Sequence, residues 1–167
     1  MDMHSRSLVI RRFQAHEWPA YRAIRLRSLG EAPEAFCSTL ATEEAYPLET
    51  WSERMVRSAT AGIDCPLVAE MDSQPVGLVW AKADGDDPAV VNLFQMWVAP
   101  EARGRRVGMA LLDEAIGWAR SRGARAVRLS VRHGNAGAFA LYEKAGFRET
   151  GEPDPAERKM SLDLLAK

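Results

Sequence analysis

The stretch from Ala89 to Arg120 constrains this chain more than any other, because its hydrophobic period changes halfway along. Ala89 to Val98 (AVVNLFQMWV) is a nearly continuous apolar run, the pattern of a strand at the centre of a sheet. Pro100 ends it. From Val107 to Arg120 apolar residues recur at 107, 111, 112, 115, 116 and 119, a helical stripe that Gly123 stops. Between the two lies Arg103-Gly104-Arg105-Arg106-Val107-Gly108. A helix start offers free backbone N–H groups and the positive end of the helix dipole, so it attracts anions. Gly104 and Gly108 keep Cβ atoms away from a ligand. Arg103, Arg105 and Arg106 add charge. A pyrophosphate suits such a loop, and a solvated, arginine-rich turn fits the same residues. The GxxxxGK[ST] pattern of a nucleoside-triphosphate loop is absent, as is GxGxxG after a first strand.

The remaining chain limits the setting. No Pro/Gly/Ser-rich linker divides the 167 residues, so one domain over residues 8–167 is expected. Hydrophobic residues make up 47%, enough for one sizeable core. The formal net charge of -1 gives no global field for nucleic acid or an anionic membrane. Cys37 and Cys65 form no CxxC pair, and with three scattered histidines give no metal-ligand spacing. Free thiols and no metal are expected. Met1 to Arg12 lacks a long apolar segment, and no 18-residue apolar run occurs, so a soluble cytoplasmic protein is expected.

The element order follows from local signals. Leu8 to Phe13 reads as a strand, Glu17 to about Leu29 as a helix whose apolar positions Tyr21, Ile24 and Leu29 only roughly keep helical spacing. A loop through Pro33, Cys37 and Thr39 follows. Pro47 to Ser58 reads as a second helix with Leu48, Trp51, Met55 and Val56 on one face. Leu67 to Met71 and Val76 to Ala83 form a hairpin across Asp72-Ser73-Gln74-Pro75. After the central strand and helix come a strand at Ala126 to Val131 and a short helix from Asn135 to Ala145. Asn135 suits its N-cap and Gly146 its stop. Phe147 to Thr150 and Lys159 to Leu164 are strands. The order β-α-α-β-β-β-α-β-α-β-β suits an α+β mixed sheet flanked by helices.

Arg103 to Gly108 resembles the R-x-x-G-x-G/A signature of the GCN5-related N-acetyltransferases, with Arg106 standing where the signature has its first glycine. Met96 to Leu112 otherwise resembles that family's strand-loop-helix unit. Leu129 to Phe147 (LSVRHGNAGAFALYEKAGF) resembles its next strand and helix, ending in the LYEKxGF pattern at Leu141 to Phe147. The resemblance spans about residues 8 to 165 and is specific over 94 to 150.

The resemblance implies a three-layer α/β/α fold with a mixed, mostly antiparallel sheet splayed at its centre after Trp97 or Val98. It implies acetyl-CoA as acyl donor. Backbone groups of Met96, Trp97 and Val98 would pair with the pantetheine arm, and residues 103–109 (Arg103, Gly104, Arg105, Arg106, Val107, Gly108, Met109) would hold the pyrophosphate. Asn135 and Ala138 would contact the cofactor from the other side. Tyr142 would protonate the departing thiolate, or serve as a buried core tyrosine. For Arg106 the expectation is φ < 0, with the side chain reaching a phosphate. No general base stands out. Asn92, an amide, occupies the strand position where some relatives carry a glutamate. Glu70, Glu31, Glu34, Glu43 and Glu44 read as solvated charges able to act only through water.

The resemblance implies a primary amine as acceptor, with a polyamine, an amino sugar antibiotic, an amino acid and a peptide N-terminus all open. The stretch Leu29 to Thr60 would form its wall and carries Phe36, Tyr46, Trp51 and glutamates 31, 34, 43, 44 and 49. An acidic, aromatic wall suits a cationic amine, and a solvated acidic face fits as well. Two other readings stay open, a non-catalytic acyl-CoA sensor and a nucleotide-binding protein. Relatives are often dimers, and a homodimer stays open.

Overall fold

The computed structural model describes residues 7–165. Residues 1–6, half of the stretch searched for a leader, and residues 166–167 lie outside them. The strands are β1 (Leu8–Arg12), β2 (Asp64–Met71), β3 (Gln74–Ala83), β4 (Val90–Val98), β5 (Ala126–Arg132), β6 (Arg148–Thr150) and β7 (Glu157–Asp163). The helices are α1 (Trp18–Glu31), α2 (Leu40–Glu44), α3 (Leu48–Thr60), α4 (Val107–Ser121) and α5 (Ala136–Lys144). The strands form one seven-stranded sheet in the order β1-β2-β3-β4-β5-β7-β6.

Every pairing is antiparallel except β4 with β5. That parallel register runs only from Val90, Val91 and Asn92 against Ala126, Val127 and Arg128. Beyond it both strands continue but no longer pair, so the sheet opens from Leu93 onward. The splay therefore starts five or six residues earlier than the sequence suggests, after Asn92 and not after Trp97 or Val98. The backbone of residues 93–98 is left without a strand on that side.

The layers follow from alternation. Val107, Leu111, Leu112, Ala115 and Ala119 of α4 are buried against β2, β3 and β4. On the α1 and α3 side, Tyr21 centres an aromatic cluster, with ring centroids 5.7 Å from Phe13, 5.8 Å from Trp51 and 5.4 Å from Trp80. Each fully buried large side chain contributes about 1.5–3 kcal/mol over its exposed form. Trp80 Nε1 donates to Asp64 Oδ1 at 2.8 Å, which satisfies the indole N–H inside this layer.

Three local expectations change. In α3, Trp51 and Met55 are buried, but Leu48 and Val56 are exposed by 54% and 50%, so the apolar face is narrower than the pattern suggests. Residues 40–44, to which the sequence pattern assigns no element, form α2, with Thr39 Oγ1 accepting the Thr42 N–H at 3.2 Å as its N-cap. Glu43 on this helix is buried, not a solvated charge. Its carboxylate takes two bonds from Arg25 on α1, from Nε at 3.0 Å and from Nη2 at 2.8 Å. This pair explains the weak helical stripe of α1, because one of its inward positions is an arginine. Both cysteines are free, Cys37 exposed and Cys65 buried.

Candidate functional site

The site is built where β4 loses its neighbour. In β4 the register slips against β3. Leu78 pairs with Trp97 and Trp80 with Phe94, so Gln95 and Met96 together oppose Val79. Gln95 takes φ 63, a left-handed conformation rare outside glycine, and makes a β-bulge. Tyr21 holds it by donating its hydroxyl to Gln95 Oε1 at 2.8 Å. The bulge re-aims the strand at Met96, at the mouth of the splay. Nothing in the sequence marks it, since neither Gln95 nor its neighbours are turn residues.

After β4, a single 3-10 turn (Pro100–Ala102) leads into residues 103–106 and then α4. Ala110 N–H makes the first backbone bond of the helix, to Arg106 C=O at 3.1 Å. The N–H groups of Val107, Gly108 and Met109 are thus the orphan donors of the first turn. Gly104 takes φ +78 with open space where a Cβ would stand. At Gly108 a Cβ would lie 3.0 Å from Leu141 Cδ2, so this glycine lets α5 approach α4 as well as baring backbone to the cavity.

Arg106 departs from expectation. Its φ is 65 and ψ 18, left-handed, where φ < 0 was expected. The chain must reverse at this N-cap to deliver its carbonyl into the helix, and the resemblance puts a glycine at this position. An L-residue there costs roughly 1–2 kcal/mol, and glycine loses about 0.4–1 kcal/mol through unfolded-state freedom. Arg106→Gly is therefore expected to stabilise by about 0.5–1 kcal/mol and raise Tm by about 1–4 °C. A thermal melt showing a lower Tm would contradict this account of the loop.

A cavity of about 780 Å³ opens over this loop. Met96, Trp97 and Val98 line one side, and Arg103, Gly104, Arg106, Val107, Gly108 and Met109 the base. His133, Gly134, Asn135, Ala138 and Leu141 line the other side. Of the residues expected here, Arg105 is exposed and off the cavity wall. Arg103 is on the wall but partly committed, with Nε donating to Val98 C=O at 3.1 Å and Nη2 to Glu31 Oε1 at 2.6 Å. The same Glu31 oxygen accepts Trp97 Nε1–H at 2.8 Å. The indole bond and then the Arg103 bond hold the Glu31 carboxyl below its ordinary value.

A second cavity of about 910 Å³ adjoins the first, and Ala35, Met96, Asn135 and Ala138 line both. Asn135 caps α5, its Oδ1 accepting Ala138 N–H at 3.3 Å. Tyr142 belongs to the second cavity. It is 6% exposed, packs edge-on to Phe147 at 5.9 Å and makes no hydrogen bond among the described residues. Burial pushes its phenol above the ordinary value, so it stays protonated at neutral pH. In that form it carries a proton that it can give.

The glutamates expected to line an acidic acceptor wall do not line the second cavity. Glu43 is paired with Arg25, Glu70 with Arg11 at 2.8 Å, and Glu31 and Glu34 face the first cavity. Asn92 donates to Asp84 Oδ1 at 2.8 Å. Of the three aromatics, Phe36 reaches the cavity, whereas Trp51 is fully buried and Tyr46 stacks on it at 6.0 Å. Among the described residues no group of three or more His, Cys, Asp or Glu could hold a metal ion. No helix there is long and apolar enough to cross a membrane.

Residues 18–147 match the model of the acetyltransferase (GNAT) family, and the chain belongs to that family. A mycothiol acetyltransferase of Beutenbergia cavernae is 33% identical over 135 residues, 80% of this chain and 41% of that protein. The chain spans less than half the length of the curated relatives it matches here. A GNAT-family acetyltransferase from Streptococcus pneumoniae shares the fold at TM-score 0.80 and 21% identity, over 95% of this chain and 100% of that one. The PaiA N-acetyltransferase from Thermoplasma acidophilum, solved with coenzyme A, superposes at TM-score 0.77 and 22% identity, over 94% and 99%.

Proposed function

We propose that this chain transfers an acetyl group from acetyl-CoA to a primary amine by direct attack in a ternary complex. One observation carries the reading. Two cavities meet at Met96, where the sheet parts, with orphan helix amides in one and a protonated, unpartnered tyrosine in the other. The relatives' names and the coenzyme A in the Thermoplasma structure support it.

The residues present fit the donor. The amides of Val107, Gly108 and Met109, with Gly104 and the Arg106 guanidinium, would hold its pyrophosphate. The free edge of β4 at Met96, Trp97 and Val98 would pair with the amides of the pantetheine arm, as a missing strand would. One N–H on this edge would polarise the thioester carbonyl, an oxyanion-hole role. Asn135 and Ala138 close the opposite side. The second cavity would hold the amine within reach of the thioester, and proximity supplies much of the rate. Tyr142 would give its proton to the sulfur as the C–S bond breaks. The amine's own proton leaves through water or to Glu157, the one carboxylate that lines the second cavity.

Acetyl-CoA and a panel of amines, followed by free-thiol release, test the reading. Coenzyme A should also raise Tm where ATP and NAD do not, since a ligand stabilises only through the native state. Binding of coenzyme A without thiol release on any amine would instead support a non-catalytic sensor.

A further inference from the structure

The second cavity has a charge opposite to the one its sequence neighbourhood suggests. Arg25, Arg128, Arg132 and Lys159 line it, and Glu157 is the one acidic side chain among its lining residues. Arg128, Ser130 and Arg132 point to one face of β5 by strand alternation, while Leu129 and Val131 are buried on the other. β7 continues that face, with Ser161 opposite Arg128 and Lys159 opposite Ser130. Arg128, Arg132 and Lys159 have no ion pair among the described residues. Arg132 gives one bond, a weak one, to Cys37 Sγ at 3.5 Å.

Arg25 supplies the independent observation. It is 5% exposed, stacked 5.0 Å from the Phe36 ring, and held by Glu43 through Nε and Nη2. Its Nη1 is buried with no partner among the described residues. A guanidinium N–H left unpaired inside a protein is costly, and an acceptor oxygen from a ligand would relieve it. Arg25 thus lines the wall, and Arg128, Arg132 and Lys159 stand across the floor without ion pairs among the described residues, with Glu157 opposite Arg132 in register.

We infer that the acceptor is an amine carrying an anionic group, a carboxylate or a phosphate, bound by Arg25 and the Arg128–Lys159 face. The inference rests on the proposed function, in which this cavity is the acceptor end. It reverses the expectation of a cationic amine. The five glutamates behind that expectation lie elsewhere, and the cations on β5 and β7 come from a part of the chain far from the expected wall.

Matched acceptors test it: an α-amino acid, its carboxamide and its decarboxylated amine, and phosphoethanolamine beside ethanolamine. The expected kcat/KM favours the anionic member of each set by about 10- to 100-fold, mainly through KM. The amino-acid and phosphoethanolamine arms tell a carboxylate from a phosphate preference. Arg128→Gln with Lys159→Gln should shrink that preference about tenfold; these exposed positions spare the buried Arg25–Glu43 pair, whose loss would unfold the wall. Equal or better turnover of the members without the anionic group, or a double variant that keeps the preference, overturns the inference. A second readout needs no turnover. The Tm of the coenzyme A-loaded protein should rise with the amino acid or phosphoethanolamine and stay flat with their counterparts that lack the anionic group. If no amine releases thiol but this selective stabilisation holds, the enzymatic reading fails and the anionic site stands. If neither appears, both fail.

Discussion

Glu43→Ala is expected to lower the unfolding free energy by about 3–5 kcal/mol, a large share of the roughly 5–15 kcal/mol typical of a domain. The variant would leave the Arg25 guanidinium 5% exposed with neither of its carboxylate bonds, a buried charge without compensation. Denaturant unfolding measures the loss as a fall in midpoint. A joint change to apolar residues, Arg25→Met with Glu43→Leu, should cost much less than Glu43→Ala alone, because removing both charges leaves nothing buried and unpaired. A loss under about 1 kcal/mol in the single variant would mean that water reaches this pair.

The same pair predicts how stability depends on pH. Burial pushes the Glu43 carboxyl up, but the bonds and charge of Arg25, with a Ser38 hydrogen bond and the Arg54 charge, together outweigh it and hold the group below its ordinary value. A carboxyl depressed in the folded state stabilises fully above its unfolded value, near pH 4.3, and that contribution is lost as pH falls through the folded value. Stability should therefore fall in acid more steeply in the native protein than in Glu43→Ala. Parallel slopes below about pH 4 would remove this assignment.

Tyr142→Phe is expected to lower kcat by about 10²- to 10³-fold, the range for losing a positioned general acid. Coenzyme A affinity should stay within about twofold, because Tyr142 lines the second cavity and not the one over the helix start. Stability should move by less than about 1 kcal/mol, since the hydroxyl gives up no hydrogen bond among the described residues. Steady-state kinetics and coenzyme A titration separate these outcomes. Full turnover in the variant would assign sulfur protonation to water and leave Tyr142 a packing partner of Phe147.

The parts of the fold that were legible are those where local chemistry and tertiary context agree. β4, the glycine loop and α4 read correctly because the apolar pattern changes period there and because Gly123 stops the helix. Asn135 read correctly as a cap because capping needs only its own residue and the next three. The misses have other causes. α2 has five residues, too few to show a period, and only Thr39 marks its start. The burial of Arg25 depends on Glu43, eighteen positions away, so no local pattern announces it. Gln95 and Arg106 take left-handed angles against their residue preference, and the surrounding structure imposes them. Arg128 and Lys159 show the period-two alternation of exposed strand positions, and the sequence cannot say that their exposed face forms a cavity floor.

The short parallel register of β4 and β5 makes the sheet two plates with a thin seam. One plate is β1 to β4, the other β5, β7 and β6, and the ladder between them is three residue pairs long. A ligand lying along the open edge would act as mortar, adding backbone bonds across a joint that the protein leaves largely unbuilt. Ligand occupancy and the cohesion of the two halves are then one equilibrium, seen from two sides. Amide hydrogen exchange would report it directly, with residues 93–98 and 129–132 slowing together when coenzyme A binds, and a change confined to the loop at 103–109 would show the plates to be independent.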